Sequence, residues 1–281
     1  MYYFIVSLAT LLFSLQFMFN NGFQKENGSS VFQAFNLSLY TSIFGLIILL
    51  VLNRFTLEIT LFSSIVAIVY SVATLLLNYA TIKAFHYANL SVYSVFSMIG
   101  GMILPFLYGV LTGEEFKLIR LACCVLITLS ILMTITDKSQ SKKAVKYYIA
   151  VFFLNGSVAV ISSFHQSFES ICTDSSSFLM LTKIIIAVIC IPLMLCQKER
   201  QFKISKKSVF YCFGIAGLNS IANLLLLIAL LHLPTSVQYP LVTGGTIVFS
   251  TLIDKLRKVK VTKTEFIAAG IALASSILMA F

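Results

Sequence analysis

Apolar residues along this chain gather into ten runs, near positions 2–20, 32–52, 61–80, 88–111, 118–136, 147–165, 175–196, 208–230, 235–253 and 262–281. A helix rises about 1.5 Å per residue, so a run of about 19 residues can cross a hydrocarbon core of about 30 Å. Polar residues fall mostly in the short connectors between runs. The pattern predicts an all-α integral membrane protein with ten transmembrane helices.

The longest polar interval near the middle, Asp137 to Lys146, reads as a basic linker (137–146) between a first unit, 1–136, and a second, 147–281. The units match at a nearly constant offset. Ser130-Ile131-Leu132-Met133 recurs as Ser276-Ile277-Leu278-Met279, Gly100-Gly101 as Gly244-Gly245, Ser91-Val92 as Ser236-Val237, and Tyr2-Tyr3 as Tyr147-Tyr148, at shifts of 144 to 146. A duplicated five-helix unit follows. Five crossings end on the side opposite their start, so the second copy is expected upside down: two inverted five-helix repeats.

Composition agrees with this pattern: 59% of residues are hydrophobic and 11% charged, whereas soluble domains carry about 25% charged residues. The net charge of +10 would suggest nucleic acid in a soluble protein. Here Lys and Arg lie in connectors such as Lys198 to Lys207 and Lys255 to Lys263, where a membrane protein meets cytoplasmic solvent and anionic headgroups. No nucleic-acid partner is expected; the expected partners are the lipid bilayer and a small molecule, with the chain a monomer or homodimer.

Connectors after odd-numbered runs hold sixteen basic residues, Lys25, Lys83 and those in 138–146, 198–207 and 255–263, against Arg54, Lys117 and Arg120 after even-numbered runs. Basic loops stay in the cytoplasm, which predicts a multi-pass cell-membrane protein with both termini extracytoplasmic. Met1 to Leu15 lacks a basic n-region and an Ala-x-Ala site, so it reads as a helix rather than a secretion signal. Cys123, Cys124, Cys190 and Cys212 lie within apolar runs as small packing residues, and His86, His165 and His232 lack ligand spacing. Neither a metal nor a cofactor is expected.

Polar side chains within lipid-crossing helices should face a cavity or a neighbouring helix. Tyr70, Thr74 and Asn78 repeat at i, i+4 and i+8 in the third run, and Asn219 and Asn223 at i, i+4 in the eighth, its predicted counterpart. Gln16 and Asn20 in the first run correspond to Ser162 and Gln166 in the sixth. Tyr93 and Ser97 in the fourth correspond to Tyr239 and Thr243 in the ninth. These stripes predict a pseudo-symmetric polar cavity that binds substrate; the alternative for any one Ser, Thr or Asn is a hydrogen bond between packed helices.

Lys183 is the deepest formal charge, about 13 Å along its run from Ser175. It either snorkels to the interface or needs a watery cavity or a partner, an anionic substrate group being one candidate. His165 is the candidate for proton coupling, although its place at the outer end of the sixth run, near Glu169 and Asp174, points to an interfacial histidine in solvent. Gly109 and Gly113 form GxxxG, and Ala268, Ala272 and Ser276 a small-residue stripe, both read as close helix-packing faces. Pro105, Pro192 and Pro240 are expected to bend helices.

The chain resembles the ten-helix, EamA-type branch of the drug/metabolite transporter superfamily over its whole length. The resemblance is carried by Leu107 to Met133, with Gly113-Glu114-Glu115 before a helix, and by Pro240 to Met279, with Asp254 before a basic connector and then Ala268-Ala269-Gly270. It implies a secondary transporter, commonly an exporter of amino acids, metabolites or toxic compounds, with a central cavity between two halves whose last helices pack together. No HExxH, DDxxD, GxSxG or Walker A pattern is present, which argues against an enzyme and against ATP-driven transport by this chain alone. The expected function is alternating-access efflux of a small metabolite such as an amino acid or amphiphilic compound. The alternatives are uptake of a small nutrient or organic cation, or a non-transporting membrane subunit.

Overall fold

The computed structural model describes residues 1–28, 30–87, 90–133, 145–197, 205–258 and 262–279, with side chains except at position 21 and over positions 82–95. The described residues form α-helices joined by short connectors: α1 (Tyr2–Asn27), α2 (Val31–Leu52), α3 (Leu61–Tyr87), α4 (Leu90–Leu111), α5 (Leu118–Met133), α6 (Val145–Gln166), α7 (Ser175–Leu195), α8 (Lys206–Leu230), α9 (Thr235–Leu256) and α10 (Lys263–Leu278). Most of the basic linker lies outside the described residues.

The helix limits have local causes. Ser30, Asp174, Ser205 and Thr262 each accept from a backbone N–H of the following first turn, and Thr262 with Glu265 completes a capping box. The first helix runs past the apolar stretch to Asn27, because nothing before Gly28, at φ +76°, breaks it. Gly113, at φ +97°, lies outside α4 in the turn that follows it. The expected GxxxG packing face is therefore corrected. Gly113 serves backbone conformation, and Gly109 leaves room for the Glu114 carboxylate rather than for a helix.

Among the described residues six helices are long and apolar enough to cross a membrane: α1, α2, α3 over Leu61–Thr81, α6, α7 and α8. The apolar segments Phe96–Leu111 and Leu118–Met133 are shorter; at 1.5 Å per residue, sixteen residues span about 24 Å. Large apolar side chains face outward in stripes, as at Ile65, Ile68, Val72 and Leu76 of α3. An apolar exterior of this kind is compatible with a membrane-embedded chain.

Packing runs mainly across the two sequence units. Helix α1 packs on α8 and α9, α6 on α3 and α4, α2 on α7 and α8, and α7 on α3, while α4 meets α9 and α5 meets α10. One apolar cluster joins α4, α5, α9 and α10 through Met102, Phe106, Ile127, Ile131, Ile247 and Ala272. Another joins α2, α3, α7 and α8 through Leu49, Val66, Phe178, Met180 and Leu227.

Glycine permits the closest approaches. A β-carbon at Gly100 would overlap the Phe152 carbonyl, one at Gly101 would meet the Asn155 amide, and one at Gly245 would meet the Thr10 methyl. Ala268 and Ala272 are fully buried, and Ala272 and Ser276 face Gly244, so the small stripe of α10 is a packing face.

Candidate functional site

A polar chain links α7, α8 and α1. Lys183 Nζ donates to Asn219 Oδ1 at 3.2 Å, and Asn219 Nδ2 donates to Gln16 Oε1 at 3.1 Å. Each of the three residues lies in the middle third of its helix and is only partly buried. An ammonium only donates, so it fixes the Asn219 amide with its oxygen toward Lys183 and its nitrogen toward Gln16.

Helix α2 contributes space. Lys183 Cε lies 3.3 Å and Ser220 Oγ 2.7 Å from where a β-carbon of Gly45 would sit. The Lys183 stem thus crosses the bare backbone of Gly45, which no polar pattern in the sequence marks. Ser71 Oγ of α3 donates to the Thr182 carbonyl at 3.2 Å and ties the adjoining turn of α7 in place. Among the described residues the ion pairs are Lys117 with Glu115 and Lys207 with Glu26, and the carboxylates lie in connectors or terminal helical turns. Lys183 therefore has a neutral partner.

The other predicted residues divide between helix bridges and local bonds. Asn78 Nδ2 donates to Ser38 Oγ at 2.9 Å, joining α3 to α2. Tyr70 packs edge-on against Phe178, ring centroids 5.8 Å apart, with its hydroxyl toward Ser162. The buried Tyr239 hydroxyl donates to the Ala159 carbonyl at 3.0 Å. Asn223 Nδ2 donates back to the Asn219 carbonyl at 2.8 Å within α8.

The Thr74 hydroxyl is buried without a hydrogen-bond partner among the described residues. Asn20 is partly buried one turn beyond Gln16, and Thr243 is buried on α9. Ser97 offers its carbonyl to Asn155 Nδ2 at 2.7 Å. The Tyr93 side chain lies outside the described residues. Tyr70 and Tyr239 thus anchor α3 and α9 to α6.

His165 is a correction to the expected solvent-facing position. It is fully buried, stacked on Phe178 at a centroid distance of 3.9 Å, with Ser63 Oγ 2.8 Å from Nε2. The same Ser63 oxygen accepts from the Thr173 N–H at 2.9 Å. The α6–α7 connector folds over the histidine, so nearness to a helix end does not give it solvent. The arrangement joins the start of α3 to the end of α6.

Glu114 forms a second link at that end of the molecule. Its carboxylate accepts from the N–H groups of Thr235 at 2.6 Å and Ser236 at 2.9 Å, capping α9 from the α4–α5 connector. A pocket of about 360 Å³ lies beside it, lined also by Gln166, Glu169 and His232. In the sequence Glu114 stands only in a motif before a helix; its partner backbone is about 120 residues away and carries no side-chain signature.

No family model and no curated protein matches the chain. A solved crystal structure of a protein superposes on 99% of this chain and 95% of its own length with a TM-score of 0.77. The two sequences are 13% identical, so the likeness extends to the fold alone.

Proposed function

We propose that this chain is a multi-pass secondary transporter of the drug/metabolite transporter type. In this reading it exports a small metabolite, such as an amino acid or amphiphilic compound, by alternating access through a central cavity. The observation that carries the proposal is the Lys183, Asn219 and Gln16 chain, built at mid-helix from both sequence units. A lone ammonium held by a neutral amide is costly within lipid and is retained where it handles solute or water.

The packing supports two inverted copies of a five-helix unit. Pairing the first helix with the sixth, the second with the seventh, and so on carries α1 against α8 into α6 against α3, α1 against α9 into α6 against α4, and α2 against α8 into α7 against α3. The contacts of α2 with α7, α4 with α9 and α5 with α10 map onto themselves. Thr10 against Gly245 and Asn155 against Gly101 repeat one contact at the sequence offset of 144 or 145. Two such copies can exchange conformations and expose one site to either side in turn.

Export is tested by comparing metabolites inside and outside deletion and overexpression cells. The proposal expects at least one compound to accumulate outside with overexpression and inside on deletion. Identical profiles in both strains would overturn it.

A further inference from the structure

The Gln16, Asn219 and Lys183 chain has a direction that bears on what it binds. Lys183 fixes Asn219, and Asn219 in turn occupies the Gln16 oxygen, so the Gln16 amide nitrogen remains a donor. At the other end the ammonium spends one hydrogen on Asn219 and, among the described residues, keeps two. Both ends of the chain therefore offer hydrogens, and the group carries one positive charge. All three residues are partly exposed at mid-helix.

We infer that the transported compound is a monocarboxylate, an otherwise uncharged body whose single carboxylate is received by Lys183 and the amides beside it. This rests on the transporter reading above and narrows its cargo to the amphiphilic compound rather than the amino acid. One carboxylate cancels one partly buried ammonium, and its two oxygens can accept the hydrogens that the ammonium does not spend on Asn219. A doubly ionised phosphate would bring a second negative charge for which the group holds no cation. An organic cation would meet the ammonium, and the amine of a zwitterion would find no carboxylate at this depth among the described residues.

The inference gives Gly45 and Ser71 a part in the site. Gly45 lets the Lys183 stem lie flat on α2, with Cε 3.3 Å from its absent β-carbon. Ser220, on the same face of α8 as Lys183's path, has a buried hydroxyl without a partner among the described residues. Ser71 holds the carbonyl of Thr182 and so sets the rotation of α7 that presents Lys183. Lys183 binds; Gly45 and Ser71 are positioning residues.

The test compares external metabolites, sorted by charge at neutral pH, from deletion cells carrying empty vector, the native chain, Lys183→Met or Lys183→Arg. The native chain is expected to raise one or more monocarboxylates outside. Lys183→Met, which keeps the stem, should cut that flux on the order of tenfold to a hundredfold, as loss of a charge-assisted hydrogen bond does. Lys183→Arg should restore much of it. A native profile changed only in amines, zwitterions, neutral compounds or phosphates overturns the inference while leaving the transporter reading in place. So does monocarboxylate export unchanged by Lys183→Met. No change in any compound overturns the transporter reading itself. The native profile decides the charge class even where the Met variant fails to accumulate.

Discussion

The Lys183 ammonium donates to Asn219 Oδ1 at 3.2 Å, and the nitrogen of the same amide donates to Gln16. Asn219 thus separates a donor on α7 from an acceptor on α1, and no other side-chain type of its size does both. Asn219→Leu leaves a partly buried ammonium without its partner and should cost about 1–3 kcal/mol. Asn219→Asp should keep the fold by pairing with Lys183 but cancel its charge. Melting of the purified variants and flux in cells check this pair: Leu is expected to lower both, Asp to lower flux with little change in melting.

Gly45 gives a packing counterpart to that electrostatic prediction. A β-carbon there would lie 2.7 Å from Ser220 Oγ and 3.3 Å from Lys183 Cε. Gly45→Ala should therefore destabilise by about 1 kcal/mol through overpacking and reduce flux. Ser220→Ala removes the nearer atom, a buried hydroxyl without a partner among the described residues, and should be neutral alone and partly restore the Gly45→Ala protein. A double-mutant cycle on melting temperature measures the coupling; strict additivity would contradict the geometry.

Glu114 binds two N–H groups that α9 cannot satisfy within its own first turn. Glu114→Ala should cost about 1–2 kcal/mol, the range for a lost cap. Glu114→Gln keeps one acceptor oxygen and should lose less. Thermal melting ranks the three proteins; an alanine variant as stable as the native chain would mean that the cap contributes nothing.

The sequence reading reached the helices more fully than the site, for a physical reason. Apolar runs report length directly, and the limits of α2, α4 and α7 fall within two residues of the expected ones. The extension of α1 through Asn27 is hidden because that stretch is mostly polar and carries no apolar run, while Gly28 is what ends the helix. Lys183 and the Asn stripe were legible because charge and amides in apolar runs are rare. Their mutual bond was not, since it depends on the rotation of α7 against α8. Gly45 is silent in any polarity pattern, and Gly109 looked like a helix-packing glycine because GxxxG does not show that its second member lies beyond the helix. For His165 the distance from a helix end suggests solvent, whereas burial is decided by the connector that covers it.

For a membrane-embedded chain orientation reduces to one choice, because the structure fixes which connectors share an end. Tyr2 stacks on His232, centroids 4.0 Å apart, which puts the N-terminus beside the α8–α9 connector. Glu58 N–H donates to Ser177, which joins the α2–α3 connector to the start of α7. At the opposite end Lys207 pairs with Glu26 at 2.9 Å. That end adjoins connectors rich in Lys and Arg, so it is expected in the cytoplasm and both termini outside. Cys196, exposed after α7, belongs to the basic end, and Ser170, exposed after α6, to the other. In a background with the remaining cysteines replaced, a membrane-impermeant maleimide should label Ser170→Cys in intact cells and reach Cys196 only after permeabilisation. The reverse pattern would invert the whole molecule at once, because no single connector can change sides while these cross-helix contacts hold.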